Sequence, residues 1–286
     1  MFGNGGSKMI CKVPQKGFTH GGKFHADDVF STALLRMINP QIEVARGFEV
    51  PKEYDGIVYD IGLGKFDHHQ KDKEIRPNGI PYAAFGLLWR EYGSLFLEEE
   101  GRLDFDKNFV QKIDEADNTG SENTLSEAIS SFNPNWDSEE TFDDNFWKAV
   151  DVAQKILIRS IDKIKGEERA AEVVQNAMRQ SDGEILKLPL FVPWKKQVIG
   201  SGYQFVIYPS KRGGYCAQGV PVSEEDRSLV CEVPQEWCGL AGKELQHVSG
   251  VWEAQFCHAS GFLIATDSEE AAIKMAKLAL QNRKGD

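Results

Sequence analysis

An α/β protein of two domains is what this sequence predicts, on three observations. Short β-branched runs alternate with helical stripes through the first half, the apolar period turns from helical to strand-like near Ser181–Gly183, and 286 residues exceed the usual size of one domain. Residues 1–182 are expected to form a largely parallel sheet flanked by helices, and residues 183–286 a smaller, β-rich α/β domain.

The elements follow in order. After Gly17-Phe18-Thr19, the stretch ADDVFSTALLRMI sets Val29, Phe30, Ala33, Leu34, Met37 and Ile38 on one helical stripe. IEVAR (42–46) and GIVYD (56–60) are short, rich in β-branched residues and bounded by Pro, Gly and Asp, as strands are. YAAFGLLWREYGSLFLEE and FDKNFVQKIDEAD predict further helices. From Phe142 to about Gln180 a long helical pattern puts Phe146, Ala149, Val150, Ala153, Ile156, Leu157 and Ile161 on one side, a spine or connector. SDGEILKLPLFVPW then opens a strand-like region containing YQFVIYPS, GYCAQGVP and EAQFCHASGFLIAT. A last helix, SEEAAIKMAKLALQNR, has Ser268 as its N-cap and Glu269 with Glu270 in its first turn.

Composition narrows the function. With 33 basic against 44 acidic residues the net charge is −11, which argues against long polynucleotide partners while leaving room for a locally basic cleft. No apolar run approaches the roughly 20 residues needed to span a bilayer. The N-terminal stretch has neither a signal-peptide core nor an Arg-rich presequence pattern, so a cytoplasmic location is expected. Cys11, Cys216, Cys231, Cys238 and Cys257 are odd in number, widely spaced and without a C-x-x-C pair, the pattern of reduced thiols.

Chemistry concentrates in the first quarter. THGGKFHADD carries His20, His25, Asp27 and Asp28 at the opening of a helix, Asp60 ends GIVYD, and Asp67-His68-His69 follows on a Gly-rich turn. In a parallel sheet such groups gather at the C-terminal strand ends. An Asp alone at such a junction is most often an N-cap or turn former. Two His/Asp clusters at two strand-to-helix junctions instead point to a metal site. Mixed His and Asp without Cys suits Mn²⁺ first, with Mg²⁺, Co²⁺ or Zn²⁺ as competitors. Two ions about 3.5–4 Å apart would generate a hydroxide and clamp the attacking and leaving oxygens of a phosphoryl centre. Phosphate loops, nucleophile elbows, H-E-x-x-H helices, G-x-G-x-x-G and the deaminase pattern are all missing from the sequence.

VYDIG followed by DHHQ, with a His/Asp loop upstream, resembles the DHH phosphoesterase superfamily, which includes manganese pyrophosphatases, RecJ-type exonucleases and oligoribonucleases. More closely, THGGKFHADDVFSTALL, FDHHQ, IDEADN, FNPNW and FCHASGF in this order resemble the melanocyte proliferating gene protein family, a branch of metal-dependent 3′–5′ RNA exonucleases. The resemblance implies a DHH-type two-domain phosphoesterase. It assigns His20, His25 and Asp27 to the first metal segment, Asp60 to the second, and Asp67, His68 and His69 to the third. The fourth metal Asp lies in IDEADN, with Asp117 favoured over Asp114 because the turn-forming DN leaves it at the exposed end of a helix. Asp60 would bridge two ions, Asp67 and His68 would support or ligate them, and His69 would act as the acid near the leaving group, with Asp67 beside it in catalysis. Asp28 is left to cap the helix. Compared with the manganese pyrophosphatases, the His20–His25 spacing is one residue longer and a His replaces the first Asp, which bears on metal preference.

For the second domain the resemblance implies that HASGF grips substrate phosphate through His258, Ser260 and Gly261. Lys211 and Arg212 in SKRGGY offer a pair of cations for the same purpose, or a solvated hairpin tip. Trp136 is read as core or as a base-stacking ring. The expected reaction is metal-dependent hydrolysis of a phosphodiester in RNA or a short oligonucleotide trimmed from one end. The rivals are a phosphohydrolase acting on a nucleotide, a cyclic-dinucleotide product or pyrophosphate, and a non-catalytic metal-stabilised binding protein. Cleavage polarity, RNA against DNA and the oligomeric state stay open, a homodimer being one option.

Overall fold

The computed structural model describes residues 13–283, so Cys11 lies outside the described residues. Contacts divide the chain into two units, the first ending at Lys165 and the second beginning at Gly166.

The first unit contains β1 (Lys16–His20), α1 (Ala26–Ile38), β2 (Glu43–Gly47), β3 (Ile57–Val58), α2 (Ala84–Tyr92), α3 (Glu99–Phe105), α4 (Gln111–Thr119), α5 (Thr124–Ser130) and most of α6 (Phe142–Arg179). The sheet is parallel throughout, in the order β2-β1-β3, with Phe18 opposite both Ala45 and Val58. The α1 stripe is buried from Val29 to Leu35, and the helix stops at Asn39, just before Pro40, which disfavours continued helix. Its apolar face meets Phe85, Leu88 and Trp89 of α2 in one core with Tyr59 and Ile113.

The region expected as one helix from Tyr82 is two, α2 and α3, joined by a 3₁₀ turn at Gly93–Leu95. Gly93 lies so close to the Trp89 indole that a Cβ would sit 2.9 Å from its ring. A π-helical turn at Asp106–Val110 leads into α4, which ends on Gly120 in the left-handed region at φ 71°. The 38-residue α6 buries Phe146, Ala149, Val150, Ala153, Leu157 and Ile161 in the first core and Ala170 with Val174 in another, which is why the division between units falls within it.

The second unit holds β4 (Ile185–Lys187), α7 (Lys195–Val198), β5 (Phe205–Pro209), β6 (Tyr215–Gly219), α8 (Gly242–Ser249), β7 (Ala254–Cys257), β8 (Leu263–Thr266) and α9 (Glu269–Arg283). Its sheet runs β4-β5-β6-β8-β7, parallel only between β4 and β5. Successive residues of β5 face opposite cores: Phe205 and Ile207 pack with Met275 and Ala276 of α9, Val206 and Tyr208 with Trp194 and Val198. Burial on both faces explains why β5 is apolar without alternation. Ser268 Oγ accepts from the Ala271 amide at 3.2 Å, capping α9. No disulfide joins the four cysteines among the described residues, and no described helix is long and apolar enough to cross a membrane.

Candidate metal centre

All three strands of the first sheet point their C-terminal ends at one place. His20 closes β1, where the Gly21 amide bonds the Gly47 carbonyl at 2.7 Å. A Cβ on Gly21 would lie 3.2 Å from the Gly47 backbone, so the pair of glycines lets the chain turn there. The loop then reaches α1, fixed by Asn133: its Oδ1 accepts from the Phe24 amide at 3.0 Å and its Nδ2 donates to the Phe24 carbonyl at 2.9 Å. His25 is the N-cap, and its amide donates to Asp28 Oδ1 at 2.9 Å. Asp27 is fully buried one residue into the helix.

Beyond β3, Asp60 adopts a left-handed backbone at φ 56°, its amide bonded to the Phe66 carbonyl at 2.9 Å. Non-glycine residues rarely hold this conformation, and where they do it often aims a functional side chain. The Asp60 carboxylate lies between two imidazoles, Oδ2 3.2 Å from His20 Nε2 and Oδ1 3.0 Å from His68 Nε2. His68 Nε2 in turn stands 3.2 Å from Asp117 Oδ2 and 3.8 Å from Asp27 Oδ2.

Three groups of metal-sized dimensions result, each with its donor atoms within 4.8 Å of one another: His20 with Asp28 and Asp60, Asp60 with His68 and His69, and His25 with Asp27 and Asp117. Asp60 belongs to two of them, and His68 links these to the third. Of the residues expected to act together, all but Asp67 are thus brought together, and Asp28 joins them. Its Oδ1 caps α1 as the sequence suggests, but its Oδ2 sits 3.2 Å from His20 Nε2. The adjacent acids of HADD were the available signal, since residues side by side at a helix start can send one carboxylate to each of two neighbours.

The chemistry of this donor set fits a divalent cation. Asp27 Oδ1 is buried without a hydrogen-bond partner, and the equally buried Asp28 Oδ2 has only the His20 imidazole, a costly arrangement that a cation would relieve. Burial and the nearby Asp60, Asp117 and Asp28 charges push the Asp27 carboxyl well above its ordinary range. Burial and Asp60 raise Asp117 as well. At Asp60 burial acts the same way, yet His20 and His68 overcome it and hold the carboxyl down to about 2. His20 is pushed up to about 10, against its own burial, by Asp28 and Asp60. The cluster draws positive charge onto His20 and His68, and imidazole nitrogen with carboxylate oxygen, without sulfur, is a set that serves Mn²⁺, Co²⁺ or Zn²⁺.

Asp67 behaves differently from its neighbours and is absent from the three groups. Its Oδ2 accepts from the Leu63 amide at 2.6 Å, and its Oδ1 from the His68 and His69 amides at 2.7 and 3.2 Å and lies 2.7 Å from His69 Nδ1. It ties the loop together and orients His69, whose ring is 59% exposed. Asp114 is also apart. It pairs with Arg76 at 2.7 Å and accepts from the Gly86 amide at 3.0 Å, and burial pushes it up to about 7 against the pull of Arg76. Of the two aspartates in IDEADN, Asp117 faces the histidines. Asn118 beside it lies 3.4 Å from His68 Nδ1 and accepts from Lys73 Nζ at 2.9 Å. Sequence reading passed over both Asn118 and Asn133; only the DN of IDEADN and the FNPNW motif flagged their segments.

An open cleft of about 880 Å³ exposes this centre, and Lys23, Lys71 and Lys73 contribute to its walls. Trp136 is 96% exposed and so is not core. In the second unit, His258 Nδ1 lies 2.9 Å from Ser260 Oγ and accepts from the Ser260 amide at 3.1 Å, while Gly261 turns back in the left-handed region at φ 68°. Lys211 and Arg212 are not brought to this turn. Tyr215 of β6 pairs with Thr266, next to their hairpin tip, whereas Gly219 at the other end of β6 bonds Phe262 of the His258 turn at 2.9 Å. The strand separates the two.

Comparison with known proteins adds the family. The model of a family described as an uncharacterised protein family (UPF0160), labelled MYG1 exonuclease, matches residues 17–280. The human MYG1 exonuclease is 28% identical, over 97% of this chain and 89% of its own length. The MYG1 protein of Saccharomyces cerevisiae is 27% identical over 96% of each chain. A MYG1 protein of Chlamydia pneumoniae is 30% identical over 95% of this chain and 99% of its own. No solved structure matches the chain. A match that runs through every segment of the His/Asp centre and on into the last helix leaves one conclusion: the chain belongs to the MYG1 family.

Proposed function

We propose that this chain is a divalent-metal-dependent phosphodiester hydrolase of the DHH type, trimming RNA or short oligonucleotides from one end in the cytoplasm. The observation that supports it most is the contiguity of the three His/Asp groups through Asp60 and His68, with the buried Asp27 Oδ1 left without a hydrogen-bond partner. The relatives' names, exonuclease among them, favour the same reading. His20, His25, Asp27, Asp28, Asp60, His68 and Asp117 would hold two ions, Mn²⁺ first. Such ions polarise phosphoryl oxygens and acidify water.

The chain's own groups supply the rest. Lys23, Lys71 and Lys73 draw the substrate's phosphates into the cleft, so that an acidic protein needs to neutralise only a few of them. His69, exposed and backed by Asp67, would give a proton to the departing oxygen while the attacking water, its own proton released to solvent, bonds through oxygen to phosphorus and the P–O bond breaks. In this reading residues 1–182 carry the chemistry, and His258, Ser260 and Gly261 of residues 183–286 hold a substrate phosphate.

The test is hydrolysis of end-labelled RNA and DNA oligonucleotides of graded length, alongside pyrophosphate, with and without Mn²⁺. Stepwise shortening that requires the metal supports the exonuclease. Hydrolysis of pyrophosphate alone moves the assignment to a small-molecule phosphohydrolase, and metal binding with no hydrolysis of any of them removes the enzyme.

A further inference from the structure

A second cavity, about 410 Å³, shares His25 and Asp117 with the metal cleft and otherwise has walls of its own. Buried Ala26 and Ile113 give it an apolar surface. The turn after α4 and one side of α5 give it a polar one, with Ser121, Glu122, Ser126 and Glu127. Ser126 Oγ is buried there without a hydrogen-bond partner.

The contrast with the larger cleft is in charge. The larger cleft has three lysines in its walls, whereas neither Lys nor Arg lines the smaller one, which has two glutamates instead. Beside Glu122 and Glu127, a phosphate entering the smaller cavity would meet carboxylates with no Lys or Arg in the walls to offset them. A group with flat apolar faces, hydroxyls and amine donors would meet an apolar wall, a serine oxygen in want of a partner and carboxylate acceptors. The volume lies in the range of small-ligand sites. Because His25 and Asp117 line both cavities, a phosphodiester held at these two residues would have one side of its chain towards the lysines and the other towards this cavity.

From this we infer that the smaller cavity receives the terminal nucleoside of the substrate, and that it accepts a terminal hydroxyl and rejects a terminal phosphate. The inference rests on the hydrolase reading above and deepens it: it names which end group the enzyme requires.

Oligonucleotides ending in hydroxyl or in phosphate, at the 3′ and at the 5′ end in turn, are cut by the full chain with Mn²⁺ and their rates compared. At the end from which cleavage proceeds, the hydroxyl form should be cut about 10-fold faster or more, as like-charge repulsion requires. The double variant Glu122→Lys with Glu127→Lys, both exposed, should reduce that ratio towards one. Equal rates for the two end groups in the native protein overturn the inference while leaving the nuclease standing. An unchanged ratio in the double variant overturns it as well.

If neither oligonucleotide is cut, the hydrolase reading fails, and a binding measurement still judges the cavity. Saturation-transfer NMR with adenosine should give a signal with the native protein that Ser121→Trp, at an exposed position lining the cavity, abolishes. Inorganic phosphate should not compete with adenosine. No adenosine signal, or one that Ser121→Trp leaves intact, overturns the inference.

Discussion

The loop that carries His20 and His25 and the turn that carries His258 each follow a strand and each bend on glycine, yet their polar atoms are satisfied in different ways. Around His20, four carboxylates crowd together behind buried walls, Asp27 Oδ1 has no hydrogen-bond partner, and Asp60 holds a backbone conformation that few non-glycine residues adopt. Around His258, Nδ1 is engaged by Ser260, the Gly261 amide bonds the His258 carbonyl at 2.8 Å, and the left-handed residue is a glycine. The first arrangement is incomplete without positive charge. The second is complete by itself, a preformed turn. Carboxylates brought this close hold one another's charges at high energy unless something neutralises them. A hydrogen-bonded turn makes no such demand, and the two sites should therefore respond differently to metal and to substitution.

Asp60→Asn should break the contrast most deeply. Removing the carboxylate shared by two groups should lower Mn²⁺ occupancy, measured by elemental analysis, and cut the hydrolysis rate about 10³-fold, the upper range for one electrostatic contact at a reacting centre. Unchanged occupancy would mean that Asp60 does not belong to the metal set. Asp67→Asn sharpens the difference within the first loop itself. Because Asp67 is engaged with amides and His69, its loss should leave the metal bound and lower the rate by about 10–100-fold, as for residues that orient others. Loss of metal in this variant would instead make Asp67 a ligand. His258→Ala is the mildest of the three. It should leave metal binding untouched and raise the KM for oligonucleotide about 10-fold, the equivalent of one hydrogen bond to a charged group. A fall in metal occupancy would show that the two sites are not independent.

Local pattern reaches far in this chain because its strongest features are local. The period-3.6 stripe of α1, the apolar strands β5 and β8, the serine cap of α9 and the helix-to-strand change after α6 all follow from neighbouring residues, and the fold class follows with them. The clustering of His and Asp at two strand-to-helix junctions was equally visible, since a parallel sheet sends those junctions to one edge. The break between α2 and α3 was not visible, because Gly93 is required by an indole one turn away in the folded helix, and its packing decides the matter.

Which acid does what depended on contacts distant in sequence. Asp114 and Asp117 are both in IDEADN, but Arg76 and Gly86 claim Asp114, and a Cβ at Gly86 would fall 1.8 Å from its Oδ2. Asp28 reads as a cap and is one, yet its second oxygen meets His20 across the loop. Lys211 and Arg212 look close to the His258 turn in character and are held away from it by the length of β6. The sequence alone determined the kinds of donor and the segments that carry them, since composition and period are properties of the chain. Only the tertiary structure decided which oxygens face the histidines and which face an amide, because a carboxylate has two of them, and their partners come from strands and helices far apart in the chain.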